Sequence, residues 1–313
     1  MIWEWKKNQS AKKIFIEMSR TFLIIGASGY IGSYFLKNIL ETTELNIIAT
    51  KTKNSSASIS HERVKWLDLD ISDFAEVDSF CDQLSKLNTK LDVIYLAAYH
   101  HPDNVEKDPQ FAWGINIVAL GNIINKIPSI RTFYYSSTDS VYGESFDGYR
   151  FKETDDHVPF NEYGKQKSLA EKIVLSRGYS VIHYPFLIGP SLANKKHFYD
   201  MIVDDFASGK KVEAFSDSCR SSLDFNSASL YALQLIERGD NFGTVNICAD
   251  IGYSKHNIIL RVANRHGFGA ENIKSILAKE SNWVSIAKRP LVTLLDNSKL
   301  KKILALEKIE PKI

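Results

Sequence analysis

Tyr163 and Lys167 stand one helical turn apart in Tyr163-Gly164-Lys165-Gln166-Lys167, a spacing that puts a phenol and an ammonium on the same face of a helix. Such a pair suits proton transfer. Reducing a carbonyl needs a hydride donor on one face of the carbon and a proton donor at the developing alkoxide. A phenol, with an ordinary pKa of about 10, can take the second role when a neighbouring ammonium stabilises the phenolate. Upstream, Ser137-Thr138-Asp139-Ser140-Val141-Tyr142-Gly143 supplies hydroxyls and one carboxylate.

These groups need a scaffold to hold them. The apolar run 21–25 is too short for a helix and precedes a glycine-rich turn, so it reads as a buried strand. Residues 30–40 carry apolar side chains at helical spacing, and 46–50 and 64–67 read as strands. The spacing of Phe74, Val77, Phe80, Leu84 and Leu87 predicts a helix over 74–87. A strand at 91–96, one helix over 110–126 ending before Pro128, and strands at 132–136 and 180–184 on either side of the Tyr163 helix continue the alternation. This pattern predicts an α/β fold, a Rossmann-like doubly wound parallel sheet. Past Pro185 the pattern turns irregular, with helices at 198–208 and 227–236. Residues 20–185 therefore read as the nucleotide-binding domain, and 186–313 as a smaller, mainly substrate-binding C-terminal lobe with room for some segments to return to the sheet.

With 313 residues, 44% of them hydrophobic, the chain can bury one large core or two modest ones. A net charge of +2 offers no basic field for nucleic acid or an acidic membrane surface. Cys81, Cys219 and Cys248 lie far apart without a Cys/His cluster, which predicts reduced thiols and no metal site. No apolar run approaches the ~20 residues of a membrane span, and the N-terminus lacks the apolar block of a secretion signal. The expectation is a cytoplasmic protein whose partners are small molecules. Residues 1–19 stand apart: a Lys- and Trp-rich stretch precedes Met18-Ser19-Arg20, which reads as an ordinary start. The extension reads as an appended helix, an interfacial anchor or a mis-called start.

Gly26-Ala27-Ser28-Gly29-Tyr30-Ile31-Gly32 falls between the first strand and the first helix. Glycine there lets the backbone approach a pyrophosphate aligned with the helix N-terminus. The Gly-x-x-Gly-x-x-Gly spacing differs from the Gly-x-Gly-x-x-Gly of other dinucleotide folds. An acid at the end of the second strand would bind the adenosine ribose and favour NAD. Here that position reads Thr50-Lys51-Thr52-Lys53. Its two ammonium groups can face a 2′-phosphate or belong to a solvated loop; the reading prefers NADP(H), with NAD(H) as the alternative.

Together, Gly26 to Gly32, Ser137 to Gly143 and Tyr163 to Lys167 resemble an extended short-chain dehydrogenase/reductase of the NAD-dependent epimerase/dehydratase superfamily, from about Arg20 onward. The resemblance implies that Tyr163 donates the proton, that Lys167 lowers the Tyr163 pKa and holds the nicotinamide ribose, and that Thr138 fixes the carbonyl oxygen. Asn116 supports the lysine or is merely structural. Gly26, Ser28, Gly29, Tyr30, Ile31 and Gly32 would surround the pyrophosphate and Lys51, Asp70 and Ile71 the adenosine, with Ala97, Ala98, Tyr99 and Pro185 packing elsewhere along the cofactor. Ala97-Ala98-Tyr99, Ser137-Thr138-Asp139 and the segment from Arg289 to Leu300 look most like dTDP-4-dehydrorhamnose reductase and its relatives.

Two residues after the catalytic hydroxyl, similar 4,6-dehydratases carry Glu and GDP-fucose synthases Cys; this chain carries Ser140. A neutral serine is a poor general acid or base near neutral pH. What the resemblance then implies is NADPH-dependent C4 reduction of a nucleotide-linked 4-keto sugar, for a deoxysugar or surface polysaccharide. Substrate candidates are Ser137, Asp139, Ser140, His197 and Arg220, the last as a guanidinium fork for a diphosphate. Lys195, Lys196 and His197 contact the substrate or form a solvated turn. His183 stands where relatives usually carry an arginine at the strand end. Two other readings stay open: a nucleotide-sugar 4-epimerase with tightly held NAD, and a non-catalytic regulatory subunit, because this family has a relative that binds methionine adenosyltransferase. The resemblance also implies a homodimer packed through the Tyr163 helix and its neighbour.

Overall fold

Strand β1 (Arg20–Ile25) sends Phe22 and Ile24 into one apolar cluster and Leu23 and Ile25 into another, because successive strand side chains point to opposite faces. A strand buried on both sides lies inside a sheet covered by helices, and a computed structural model describing residues 20–281 and 285–313 has that architecture. Residues 1–19, expected as an extension, lie outside the described residues. The strands β1, β2 (Asn46–Lys51), β3 (Val64–Asp68), β4 (Lys90–Tyr95), β5 (Ile130–Thr138), β6 (Ser180–Tyr184) and β7 (Thr244–Asn246) form a seven-stranded parallel sheet in the order β7-β6-β5-β4-β1-β2-β3. The order reverses between β1 and β4, and ligands of such sheets bind at the carboxyl ends beside that reversal.

Helices α1 (Tyr30–Thr42) and α5 (Phe225–Arg238) cover one face; α2 (Phe74–Ser85), the segment 109–126 and α3 (Glu162–Ser176) cover the other. The stretch 110–126, expected as one regular helix, is instead an α-helical turn, a π-helical turn over Gly114–Ala119, and α-helix again from Leu120. Such π-turns recur at functional sites, and this one carries Asn116.

The core does not break at residue 185. Tyr199 and Ile202 on α4 (Phe198–Ala207), Leu233 and Ile236 on α5, and Ile259 and Val262 on α6 (Lys255–Arg265) join the same cluster as Phe22, Phe35 and Ala49. The C-terminal half also supplies β7, paired with β6 from Thr244 opposite Val181 to Asn246 opposite His183. Beyond the main sheet, short strands place Cys219–Arg220 between Tyr253–Ser254 and Val292–Leu295. Within the sheet, Asp92 on β4 is fully buried and accepts from Arg20 at 2.7 and 2.9 Å, Arg131 at 2.6 Å and Thr132 at 2.7 Å.

Candidate active site

At the carboxyl end of β1 the chain turns at Gly26 with φ +93°, and a Cβ there would stand 2.9 Å from the Ala97 nitrogen. Only glycine combines that backbone angle with that approach to the segment after β4. The turn is tied to β2: Gly26 N donates to Thr50 Oγ1 at 2.9 Å and Ala27 N to Thr50 O at 3.0 Å. Gly29 caps α1 without a side-chain hydrogen bond. The N–H groups of the first helical turn therefore remain available at the positive end of the helix, a setting that fits a diphosphate.

A cleft of about 310 Å³ opens here, lined by Gly26, Ser28, Gly29, Lys51, Asp70, Ile71, Ala97, Ala98 and Tyr99 among the residues singled out from sequence. Thr50, Thr52, Ser55, His100 and Lys195 also line it. Tyr30, Ile31, Gly32, Asn116 and Pro185 do not belong to its lining. Tyr30 instead reaches the 191–197 loop, its hydroxyl donating to Lys196 O at 2.8 Å while the Lys195 ammonium lies 4.8 Å from its ring centroid. The two lysines expected to face a 2′-phosphate differ. Lys51 lines the cleft, bonded to Asp68 at 2.5 Å, whereas Lys53 pairs with Glu76 and is not part of the lining. Asp70 accepts from both the backbone N–H and the hydroxyl of Ser72.

The catalytic candidates meet where β5 ends and α3 begins. Lys167 is 3% exposed, and its ammonium donates to Ser136 O at 2.5 Å and lies 4.1 Å from the Tyr135 ring centroid. Thr138 donates to Ser140 Oγ at 3.2 Å and receives the Ser140 N–H at 3.2 Å, so the hydroxyls at 138 and 140 share one turn. Gly164 lets α3 touch that turn: a Cβ would lie 2.3 Å from the Ser140 oxygen. Tyr163 and Thr138 thus sit on two segments in direct backbone contact.

The electrostatics differ from the expectation that Lys167 lowers the Tyr163 pKa. Burial pushes the phenol well up, and the nearby Asp139 carboxylate adds to the effect. Burial drives Lys167 down to about 7 against the opposing pull of Glu171. Low polarity acts on both groups in favour of the neutral form. Asp139 is itself pushed up by burial, opposed by Arg220. Its Oδ2 stands 3.3 Å from Arg220 Nε, inside ion-pair range but without hydrogen-bond alignment.

Three further candidates make contacts of their own within the protein. Asn116 bonds both backbone groups of Tyr99 at 2.9 and 3.1 Å and Gln166 at 2.9 Å, so its amide pins the segment after β4 to α3 rather than meeting Lys167. Arg220, expected as a diphosphate fork, donates to the carbonyls of Cys219, Pro290 and Leu291 at 2.7–2.8 Å, which clamps the segment entering the Val292–Leu295 strand. His197 caps α4, receiving the Tyr199 N–H at 3.3 Å, and its ring stands 4.7 Å from Tyr30 and 4.9 Å from Phe225; burial lowers its pKa to about 4.

This chain matches the RmlD substrate binding domain family over residues 20–311. It belongs to that family. The dTDP-4-dehydrorhamnose reductase of Bacillus anthracis, solved in complex with NADP, shares the fold with a TM-score of 0.75 at 17% identity over 94% of this chain and 95% of that one. Among curated relatives, the UDP-glucose 4-epimerase of Lacticaseibacillus casei is 28% identical over 49% of this chain, which spans about half of that relative's length, 46%. The probable low-salt glycan biosynthesis reductase Agl14 of Haloferax volcanii is 22% identical over 88% of this chain and 89% of its own. Methionine adenosyltransferase 2 subunit beta of Xenopus laevis is 26% identical over 91% and 83%.

In this RmlD-family chain one cation escaped the sequence reading. Lys255 opens α6, its ammonium 2.8 Å from the Phe186 ring centroid and 5.4 Å from that of Phe198, with no hydrogen bond or ion pair among the described residues. Burial pulls its pKa well down, the Arg220 charge adds to this, and Asp139 opposes it. Phe186 follows β6, whose last residue, Tyr184, is in register with Thr138, so Lys255 lies at the same end of the sheet as the Thr138 hydroxyl. No spacing signals it, because Asp139, Phe186, Arg220 and Lys255 are brought together only by the fold. Among the described residues no helix is long and apolar enough to cross a membrane.

Proposed function

We propose that the protein is an NADPH-dependent reductase of nucleotide-linked 4-keto sugars, forming the C4 alcohol for a deoxysugar or surface polysaccharide. The observation that carries this reading is the phenol-bearing start of α3 held against a turn that offers hydroxyls at 138 and 140 and no acid at 140. Tyr163 is protonated at neutral pH and can serve as the proton donor that reduction needs. Bound NADPH would supply the hydride; the uncapped first turn of α1 and the Gly26 cradle would hold its diphosphate, and Lys51, Thr52 and Ser55 would meet its adenosine end, with NAD(H) the alternative cofactor. Thr138 orients the carbonyl oxygen. As the new C–H bond forms, Tyr163 passes its proton to that oxygen, giving the alcohol, and the phenolate is reprotonated from solvent. Lys255 faces an anionic oxygen of the substrate, with Arg220 holding Asp139 and the 290–291 segment in place behind it. A homodimer is part of this reading: Phe111, Trp113 and Val118 are exposed beside α3, which itself exposes Leu169.

The test is incubation with a panel of nucleotide 4-keto sugars and NADPH, following absorbance loss and identifying the product; no oxidation with any of them refutes the reading. Tyr163→Phe should lower turnover about 100- to 10,000-fold while NADPH still binds. The likeness to an epimerase favours a second reading, 4-epimerisation, which would show as redox-neutral turnover with NAD retained through purification. The likeness to methionine adenosyltransferase 2 subunit beta favours a regulatory role, which a Tyr163→Phe protein with its full biological effect would support.

A further inference from the structure

Behind the catalytic pair lies a buried polar cluster to which the proposed reduction assigns no step. Glu171, one turn beyond Lys167 on α3, is 1% exposed; its Oε1 accepts from the Ser137 hydroxyl and its Oε2 lies 3.0 Å from His183 Nε2. His183 is fully buried on β6, its Nδ1 2.9 Å from Asn246 Oδ1 and 3.2 Å from the Tyr142 hydroxyl.

The neighbours fix the direction of these bonds. Asn246 Nδ2 donates to Phe151 O at 3.0 Å and Asp296 O at 2.9 Å, both pure acceptors, so Oδ1 must face His183 and receive a hydrogen. Tyr142 gives its own hydrogen to Lys152 O at 3.0 Å, so it too can only accept from the ring. Nδ1 is therefore protonated. The contact between Nε2 and Glu171 Oε2 requires one further proton, shared between ring and carboxylate, and the pair is neutral as a whole.

His157 stands 3.8 Å from Glu171 Oε2 and bonds Ser168 at 2.9 Å; burial lowers its pKa. The ligand atoms of His157, Glu171 and His183 lie within 4.8 Å of one another. Nδ1 is committed to Asn246 and Tyr142, and the shared proton occupies the contact between Nε2 and Glu171. The other charged groups around the cluster are Glu153, which bonds the Asn246 N–H at 2.9 Å, Asp139 from the turn after β5, Lys167 on α3, and Asp156 and Lys172 around His157.

We propose that His183 is a positioning residue for the catalytic lysine: by sharing one proton with Glu171 it weakens, without removing, the pull of that carboxylate on Lys167 one turn away, and so controls how readily Lys167 takes up its own proton. This rests on Lys167 being the catalytic lysine. Removing the imidazole leaves Glu171 free to stabilise the ammonium, and an opposite charge at such range moves a titration by about 1–3 pH units. An arginine at 183 would supply the same neutralisation permanently.

The experiment is NMR titration of the full chain, labelled in lysine and histidine and free of cofactor and substrate, with Lys167→Met used to assign the lysine signal. Wild-type His183 should show no titration step between pH 6 and 8. In His183→Asn the Lys167 midpoint should rise by about 1–3 pH units, and in His183→Arg it should return to the wild-type position. An ordinary histidine curve for wild-type His183, centred near ~6.5, or equal Lys167 midpoints in wild type and His183→Asn, overturns the proposal. The wild-type curve decides against it even if the asparagine variant does not fold. Because no substrate is used, failure of the keto-sugar assay would count against the proposed function and leave these titrations standing.

Discussion

Replacing Gly164 by alanine sets one methyl group where α3 meets the Thr138–Ser140 turn. Its carbon would stand 2.3 Å from the Ser140 oxygen and 2.8 Å from Pro159 Cβ. A carbon–oxygen contact relaxes to about 3.3 Å, so helix or turn must retreat by about 1 Å. Alanine is favoured over glycine within a helix by about 0.8–1 kcal/mol, but inserting a methyl into packed surroundings costs about 1–3 kcal/mol. The clash prevails, because the atoms met are backbone and a proline ring rather than the end of a flexible side chain. We expect a net loss of stability of about 1 kcal/mol, read from urea unfolding. The larger effect falls on chemistry. The retreat separates the segments carrying Tyr163 and Thr138, and a misplacement of about 1 Å costs about 100-fold in rate. The Gly26 cleft has no contact with Gly164, so NADPH affinity, followed by fluorescence, should hold within about twofold. Wild-type turnover of a 4-keto sugar by this variant would refute the claim that the close approach positions the pair. Loss of NADPH binding in parallel would show general damage instead.

Other perturbations test separate parts of the argument. Asp92→Ala leaves the partly buried guanidinium of Arg131 without its carboxylate and the buried one of Arg20 with Glu237 alone, and should cost about 3 kcal/mol, the lower end of the range for a broken buried pair, measured by denaturant unfolding. Lys167 has its pKa lowered to about 7 in the fold, against about 10.4 in an unfolded chain. Between those values the unfolded state binds the extra proton, so stability of the cofactor-free protein should rise with pH from about 7 to 10. Lys167→Met should flatten that rise, and an unchanged slope of melting temperature against pH would contradict it. Lys255→Met should raise KM for the nucleotide sugar about tenfold with less effect on kcat, as removal of an anion contact would; an unchanged KM would remove Lys255 from the substrate site.

The alternation of strands and helices was legible because every strand from β1 to β6 is either buried on both faces or bounded by turn residues, so short apolar runs stand out against amphipathic helices. The glycine turn and the Tyr163 pair were legible for a related reason: each is local, with its geometry set by residues a few positions apart. What could not be read depends on contacts made across the chain. Strand β7 is only Thr244–Asn246 and gains its place from pairing with β6. The π-turn around Asn116 has no propensity signature and exists where the amide reaches Tyr99 and Gln166. Arg220 carried the right chemistry for a diphosphate, but three carbonyls and Asp139 compete for the same guanidinium, and sequence gives no access to that competition.

Glu171 is the instructive intermediate case. It repeats the four-residue step of Tyr163 and Lys167, so one helical face carries a phenol, an ammonium and a carboxylate in successive turns. That much is present in the sequence. Its partner His183 lies on a strand and is oriented by Asn246, which comes from the far half of the chain. A carboxylate one turn from the Lys167 ammonium raises the lysine's pKa most when bare and less when it shares a proton with His183; burial is the larger effect and brings the lysine to about 7 against that pull. The residues of α3 therefore fix which groups are present, and the β6–β7 pairing brings Asn246 beside His183 and so sets the partners of Glu171.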